Sequence, residues 1–125
     1  MTIESVRQFC LSVPHVTEDM KWGDNLLFRV GGKMFALMTL EPDAEVRLSF
    51  KCTPERYAEL LEQQGIVPAP YLARAHWVGL ENLTVLFDDE LRESLRQAYE
   101  TVLSGLPRRT WEALKAKPVR RKAAR

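Results

Sequence analysis

"LLFRVGGKMFALMTL", residues 26–40, runs out, turns on two glycines and runs back. In the first arm Leu26, Phe28 and Val30 share one face while Leu27 and Arg29 share the other, the two-residue period of a strand. Gly31–Gly32 is a two-residue loop suited to positive φ, so the stretch reads as a β-hairpin. The second arm, Lys33 to Leu40, is apolar on both faces, which places it inside a sheet rather than at its edge. "EPDAE" (41–45) turns the chain again. "VRLSFK" (46–51) then alternates, with Val46, Leu48 and Phe50 inward and Arg47, Ser49 and Lys51 outward. Three antiparallel strands joined by short turns are expected.

Helical patterns flank this meander. Ile3, Val6, Phe9, Cys10 and Val13 recur at helical spacing behind Thr2 as N-cap, and Pro14 closes that helix. "HVTEDMKWGD" (15–24) is polar and reads as irregular. "TPERYAELLEQQG" (53–65) has Thr53 as N-cap, Pro54 at the first helical position and Gly65 just past the end, with Tyr57, Leu60, Leu61 and Gln64 marking the buried stripe. In "PAPYLARAHWVGL" (68–80) the prolines hold φ near about −65° and push Val67 and Ala69 toward extended backbone. That stretch reads as a stiff joint into a short strand, "HWVGL", with Tyr71 and Leu72 plugging the end of the core; the alternative is a ligand pocket. "LTVLF" (83–87) fits either a further strand or the approach to the next helix. "FDDELRESLRQAYETVLSGLP" (87–107) is the longest helix, capped by Asp88 or Asp89 and stopped by Gly105 and Pro107. Leu91, Leu95, Ala98, Val102 and Leu106 line one of its faces. "TWEALKAK" (110–117) adds a short helix.

This order implies an α+β fold: a two-layer sandwich whose antiparallel sheet of four to five strands carries the helices on one face. Residues 1–107 form a single domain, and residues 108–125 a basic tail that is partly helical or disordered. A chain of 125 residues suits one such domain. The net charge of +1 conceals an asymmetry: residues 1–107 carry 10 Lys/Arg against 16 Asp/Glu, while residues 108–125 carry 8 Lys/Arg against one Glu. No apolar run approaches the roughly 18 residues of a membrane span, so no membrane partner is expected. "MTIESVRQFC" lacks a secretion pattern, and Cys10 and Cys52 belong to no C-x-x-C motif. Reduced thiols in a cytoplasmic protein are the expectation.

Several motifs together carry a family resemblance. "VRQFCLSVPHVTEDMKWGDNLLFRVGGKMFAL", "CTPERYAELLEQQGIVPAPYLARAHWVGL" and "LRQAYETVLSGLP" resemble the MmcQ/YjbR family of small bacterial proteins over about residues 3–107. The resemblance implies a fold like bacterial frataxin and the type III secretion chaperones. A DNA-binding role with two β-hairpin wings is commonly suggested for the family. His15 stands where the family usually has Gly, and the basic tail lies outside the shared body.

Catalytic chemistry finds little support in the residues, and the protein is expected not to be an enzyme. His15 and His76 are the only histidine bases, and neither sits beside a cysteine or in a glycine-framed elbow. Two Cys and two His without paired spacing exclude a zinc pattern. The first helix offers iron only Glu4, so neither metal nor cofactor is expected. Gly31–Gly32–Lys33 leads into a strand, not a helix, and makes no phosphate loop.

Basic residues are more suggestive. With the alternation above, Arg29, Arg47 and Lys51 leave the outward sheet face, Lys33 stands at the hairpin tip, and Trp77 joins them if its strand is in phase. Cations beside an aromatic ring hold phosphates and stack bases. The tail adds Arg108, Arg109, Arg120, Arg121 and Lys122, as a non-specific polyanion contact or as a plain solubilising segment. Against this, the turn 41–45 bears three acids. Two readings stand: nucleic-acid binding through the tail and outward sheet face, or a protein-interaction module that docks another protein or a second copy of itself.

Overall fold

A computed structural model describes residues 1–116. Helix α1 (Ile3–Ser12) opens on a reciprocal cap: the Ser5 N–H donates to Thr2 Oγ1 at 3.0 Å and the Thr2 N–H to Ser5 Oγ at 2.8 Å. Strands β1 (Val16–Lys21), β2 (Asn25–Val30), β3 (Lys33–Thr39) and β4 (Leu48–Lys51) follow, then α2 (Pro54–Leu60) and β5 (Ile66–Pro68). A 3-10 turn at Ala73–Ala75 leads into β6 (Trp77–Leu80), and α3 (Asp88–Ser104) and α4 (Arg108–Lys115) complete the order. The α+β class is as expected. The sheet has six antiparallel strands in the order β1-β2-β3-β4-β6-β5, against the four to five anticipated.

The β2–β3 hairpin turns on Gly31 and Gly32, at φ +59° and +81°. Phe28 pairs with Ala36 and Arg29 with Met34, so Phe35 is an extra, bulged residue. The bulge swings its ring into the helical layer, where it meets Tyr99 edge-on at 5.7 Å. Across the sheet two rows of side chains face the helices. One runs Phe28, Ala36, Phe50 and Val78; the other runs Leu26, Met38, Leu48, Leu80 and Ile66. Leu91, Leu95 and Ala98 of α3 join these rows in a single core, with Val6 and Cys10 of α1, Leu60 of α2 and Leu114 of α4. The Tyr99 hydroxyl donates to the Pro14 carbonyl at 2.8 Å and ties α3 to the end of α1.

Four expectations change. "HVTEDMKWGD" contains β1, an edge strand whose only buried residue is Val16. Its polar composition hides it because pairing with β2 and cover from α1 supply what an apolar face would otherwise give. Arg7 of α1 donates from Nε and Nη2 to the two oxygens of Glu18 at 2.8 and 2.6 Å, a bidentate clasp between helix and strand. Ile66–Pro68 forms a second edge strand, kept short by its proline. Residues 83–87 make no strand, and neither aspartate caps α3 with its side chain: Phe87 is the N-cap, while Asp88 accepts from the Met1 ammonium at 2.8 Å. Finally, β4 begins at Leu48, and Val46 sits on the sheet face opposite the one expected, packed over Gly79.

Both cysteines are buried. Burial pushes the Cys10 thiol up to about 12 and the Cys52 thiol up to about 11, the latter against the pull of Arg56 and Lys51. Near pH 8 both are covered and neutral. Ellman's reagent is therefore expected to find no fast-reacting thiol in the native protein and two per chain in about 6 M guanidinium. Rapid modification of the native chain is the contrary result.

Candidate functional site

The face of the sheet turned away from the helices carries the row Leu27, Leu37, Ser49, Gly79 and Val67. Flanking rows place Asn25 beside Thr39, Arg29 beside Met34, and Lys51 beside Trp77. Trp77 is therefore in phase with Lys51, as the alternation requires.

The chain itself occupies much of this face. Arg47 donates from Nη1 to the carbonyls of Thr39 (2.6 Å) and Glu41 (3.0 Å) and from Nη2 to that of Pro42 (3.3 Å). Its charge is spent inside the β3–β4 connection. Arg29 pairs with Asp19 at 3.3 Å and donates to the Gly32 carbonyl at 3.2 Å. The Lys51 ammonium donates to the Ala75 carbonyl and pins residues 69–76 over the sheet. Under that segment Trp77 is only 4 % exposed, and it has no free face on which to stack a base. Backbone bonds hold the roof: the Ala69 N–H to the Trp77 carbonyl at 3.0 Å and the Trp77 N–H to the Leu72 carbonyl at 3.3 Å. Lys33 is exposed at the hairpin tip. The structure thus brings Arg29, Lys51 and Trp77 to one face, with both cations spent on the chain's own groups, while Arg47 fastens the β3–β4 connection.

Between the roofing segments lies a hollow of about 640 Å³. Leu37 and Ser49 line it from the strands, Val46 from the β3–β4 connection and Leu72 from the stretch after β5, with Trp22 and Tyr71 at its rim. Tyr71 does not plug the core; it is fully exposed. The stretch 68–80 is thus a joint that also forms one wall of a cavity. Neither Trp22 nor Tyr71 is among the candidate site residues named from the sequence, although a pocket was the alternative reading of residues 68–80. The available signal was a large aromatic at each of two turns, Lys21–Trp22–Gly23 and Pro70–Tyr71–Leu72, where small polar residues are the usual choice.

The histidines serve the backbone. His15 and His76 lie at φ +66° and +64°, and His76 precedes β6, with its ring edge-on to Tyr57 at 5.3 Å. Among the described residues no three His, Cys, Asp or Glu gather in a way that would hold a metal ion, and no helix is long and apolar enough to cross a membrane.

Cations of α4 stand elsewhere. Leu114 anchors the helix in the core, leaving Arg108, Arg109 and Lys115 exposed. The Arg108 side chain is 88 % exposed, and its contact with Glu112 at 3.3 Å is a surface pair that contributes little. The Lys115 ammonium lies 5.7 Å from the centre of the Trp111 ring. Arg120, Arg121 and Lys122 lie outside the described residues.

A family model described as YjbR matches residues 11–101. The chain is similar to a Deinococcus radiodurans protein with a DUF419 domain, known from a crystal structure. The two share 31 % identity and a TM-score of 0.80, over 93 % of this chain and 89 % of that one. A Pseudomonas syringae protein shares the fold at 20 % identity and a TM-score of 0.68, over 81 % of this chain and 98 % of its own. No curated protein matches the chain.

Arg47→Ala separates a fastener from a docking cation. Loss of charge-assisted bonds to three carbonyls is expected to cost about 2–3 kcal/mol in urea unfolding. A solvent-facing cation would cost within about 0.5 kcal/mol. Arg47→Lys is expected to recover only part of the loss, because an ammonium lacks the planar fork that reaches three acceptors.

Proposed function

The chain belongs to the YjbR family, and on that footing we propose that it is a non-catalytic binding protein. Its partner is a polyanion, nucleic acid foremost, held through α4 and the cationic sequence after it rather than through the sheet. The observation that carries this reading is the segregation of usable charge. The sheet cations are consumed by carbonyls and by Asp19, whereas Arg108, Arg109 and Lys115 stand exposed on a helix whose only buried side chain is Leu114. The sequence beyond adds Lys117, Arg120, Arg121, Lys122 and Arg125.

Phosphate contact by lysine and arginine releases counterions, so affinity falls steeply with salt. The acidic turn Glu41, Asp43 and Glu45 repels a duplex from the neighbouring sheet end, which leaves the α4 side as the approach. Contact through exposed surface cations reads phosphates rather than base edges, so binding is non-specific in sequence. A non-catalytic role accords with thiols that are buried and neutral and with histidines committed to left-handed turns.

The test is the salt slope of binding to a short duplex, followed by fluorescence anisotropy between about 50 and 300 mM salt. Each of Arg108→Ala and Arg109→Ala is expected to shallow the logarithmic slope by about 1, and the Arg120/Arg121/Lys122 triple alanine variant by about 3. Lys51→Ala is expected to leave the slope unchanged. Slopes that ignore the α4 and 120–122 variants, or that respond to Lys51 instead, overturn the reading.

A further inference from the structure

Trp22 and Tyr71 stand at φ +52° and +66°. For bulky side chains this left-handed region is an outlier that costs on the order of 1–2 kcal/mol, whereas asparagine and glycine adopt it readily and histidine is enriched there. His15 and His76 thus need no special account, and the two aromatics do. Burial does not repay them: Trp22 is 67 % exposed and Tyr71 fully so. Neither serves the turn it occupies nor the core. Both line the same hollow. Strain held at exposed residues around one cavity points to a use for those side chains.

The hollow has the build of a ligand site. Its volume of about 640 Å³ falls in the range of small-molecule pockets, and most of its lining is apolar, with Asn25, Thr39 and Ser49 as the few neutral polar groups. It is also preorganised. Asn25 Nδ2 donates to the Trp22 carbonyl at 2.7 Å, and Asn25 Oδ1 accepts from the Thr39 hydroxyl at 2.8 Å, so the Trp22 turn is tied to the sheet. On the other side, Lys51 pins the segment that carries Tyr71.

Charge selects the occupant. Glu45 lines the hollow, and Glu41 and Asp43 lie on the same exposed turn. The one cation of that connection, Arg47, is engaged by three carbonyls. Phosphate and carboxylate are repelled here, and a cation is favoured twice: by the carboxylates and by the negative faces of exposed indole and phenol rings. We propose that this hollow binds a small organic cation bearing a flat aromatic ring, stacked against Trp22 and Tyr71 with its charged nitrogen toward Glu45. The site is separate from α4 and independent of polyanion binding.

The experiment follows the three tryptophan indole N–H signals of the ¹⁵N-labelled full chain by NMR. The probes are tryptamine and 2-naphthylmethylamine, with 2-naphthalenemethanol and 2-naphthoate as neutral and anionic counterparts. The amines are expected to shift the Trp22 signal saturably, to leave Trp111 unmoved, and to bind about tenfold or more tightly than the carboxylate. Glu45→Gln is expected to shrink the preference of amine over alcohol to about twofold. Trp22→Asn and Tyr71→Asn each put a residue suited to positive φ at a strained turn. Each is expected to keep or raise Tm while weakening the amines about tenfold. The double variant Arg108→Ala/Arg109→Ala is expected to bind the amines as the parent does, which keeps this outcome distinct from that of the polyanion test. Three results overturn the proposal: no saturable shift by either amine up to about 10 mM, carboxylate binding as tight as amine binding, or amine binding that survives loss of both aromatics.

Discussion

The guanidinium of Arg47 governs how the outer sheet face is used. Held by the carbonyls of Thr39, Glu41 and Pro42, it folds the β3–β4 connection into a fixed loop. The planar fork reaches three backbone carbonyls at once, that of Glu41 also accepting the Ala44 N–H at 3.2 Å. Once the loop is set, Val46 is laid over Gly79, where even a methyl group would come within 2.7 Å of Val46 Cγ1. A face expected to meet solvent thereby acquires walls.

The second wall follows from the same need to cover apolar strand residues. Leu27 and Trp77 face away from the helices and are nonetheless buried. Residues 69–76 close over the β6 end of the face at Trp77, held by the Ala69–Trp77 backbone bond and by Lys51 at the Ala75 carbonyl. Pro68 and Pro70 stiffen the approach, which lets a short segment hold its place without a helix of its own. What the two walls leave between them is a concave site with an acidic edge and two strained aromatics at its rim. Among the described residues, α4 gathers three exposed cations, Arg108, Arg109 and Lys115, on one short helix. On the binding roles proposed above, the acidic edge of the hollow favours cationic or neutral ligands and α4 favours polyanions.

Much of this was legible in the residues. The period-two pattern around Gly31–Gly32 fixes the central hairpin, because a one-residue slip would turn every core side chain to the wrong face. Although the end of α2, at Leu60 rather than beside Gly65, was not legible, Thr53–Pro54 start it through backbone preferences that act locally. The family motifs were readable for the same reason, being clustered at turns and at the core. The edge strands β1 and β5 were not. "VTEDMK" looks like a loop because its stability comes from pairing with β2 and from the Arg7–Glu18 clasp, neither of which leaves a periodic trace.

Alternation along a strand decided which way Arg29, Lys51 and Trp77 point, since side-chain direction in extended backbone is a local property. Whether those groups reach solvent was decided by contacts between segments far apart in the chain. Lys51 meets Ala75, Arg47 reaches back to Thr39, and Val46 lies over Gly79. Local sequence sets backbone conformation and the phase of each face. Burial, the partner of each charge and the shape of a cavity depend on which distant segment covers that face, and only the folded chain brings those segments together.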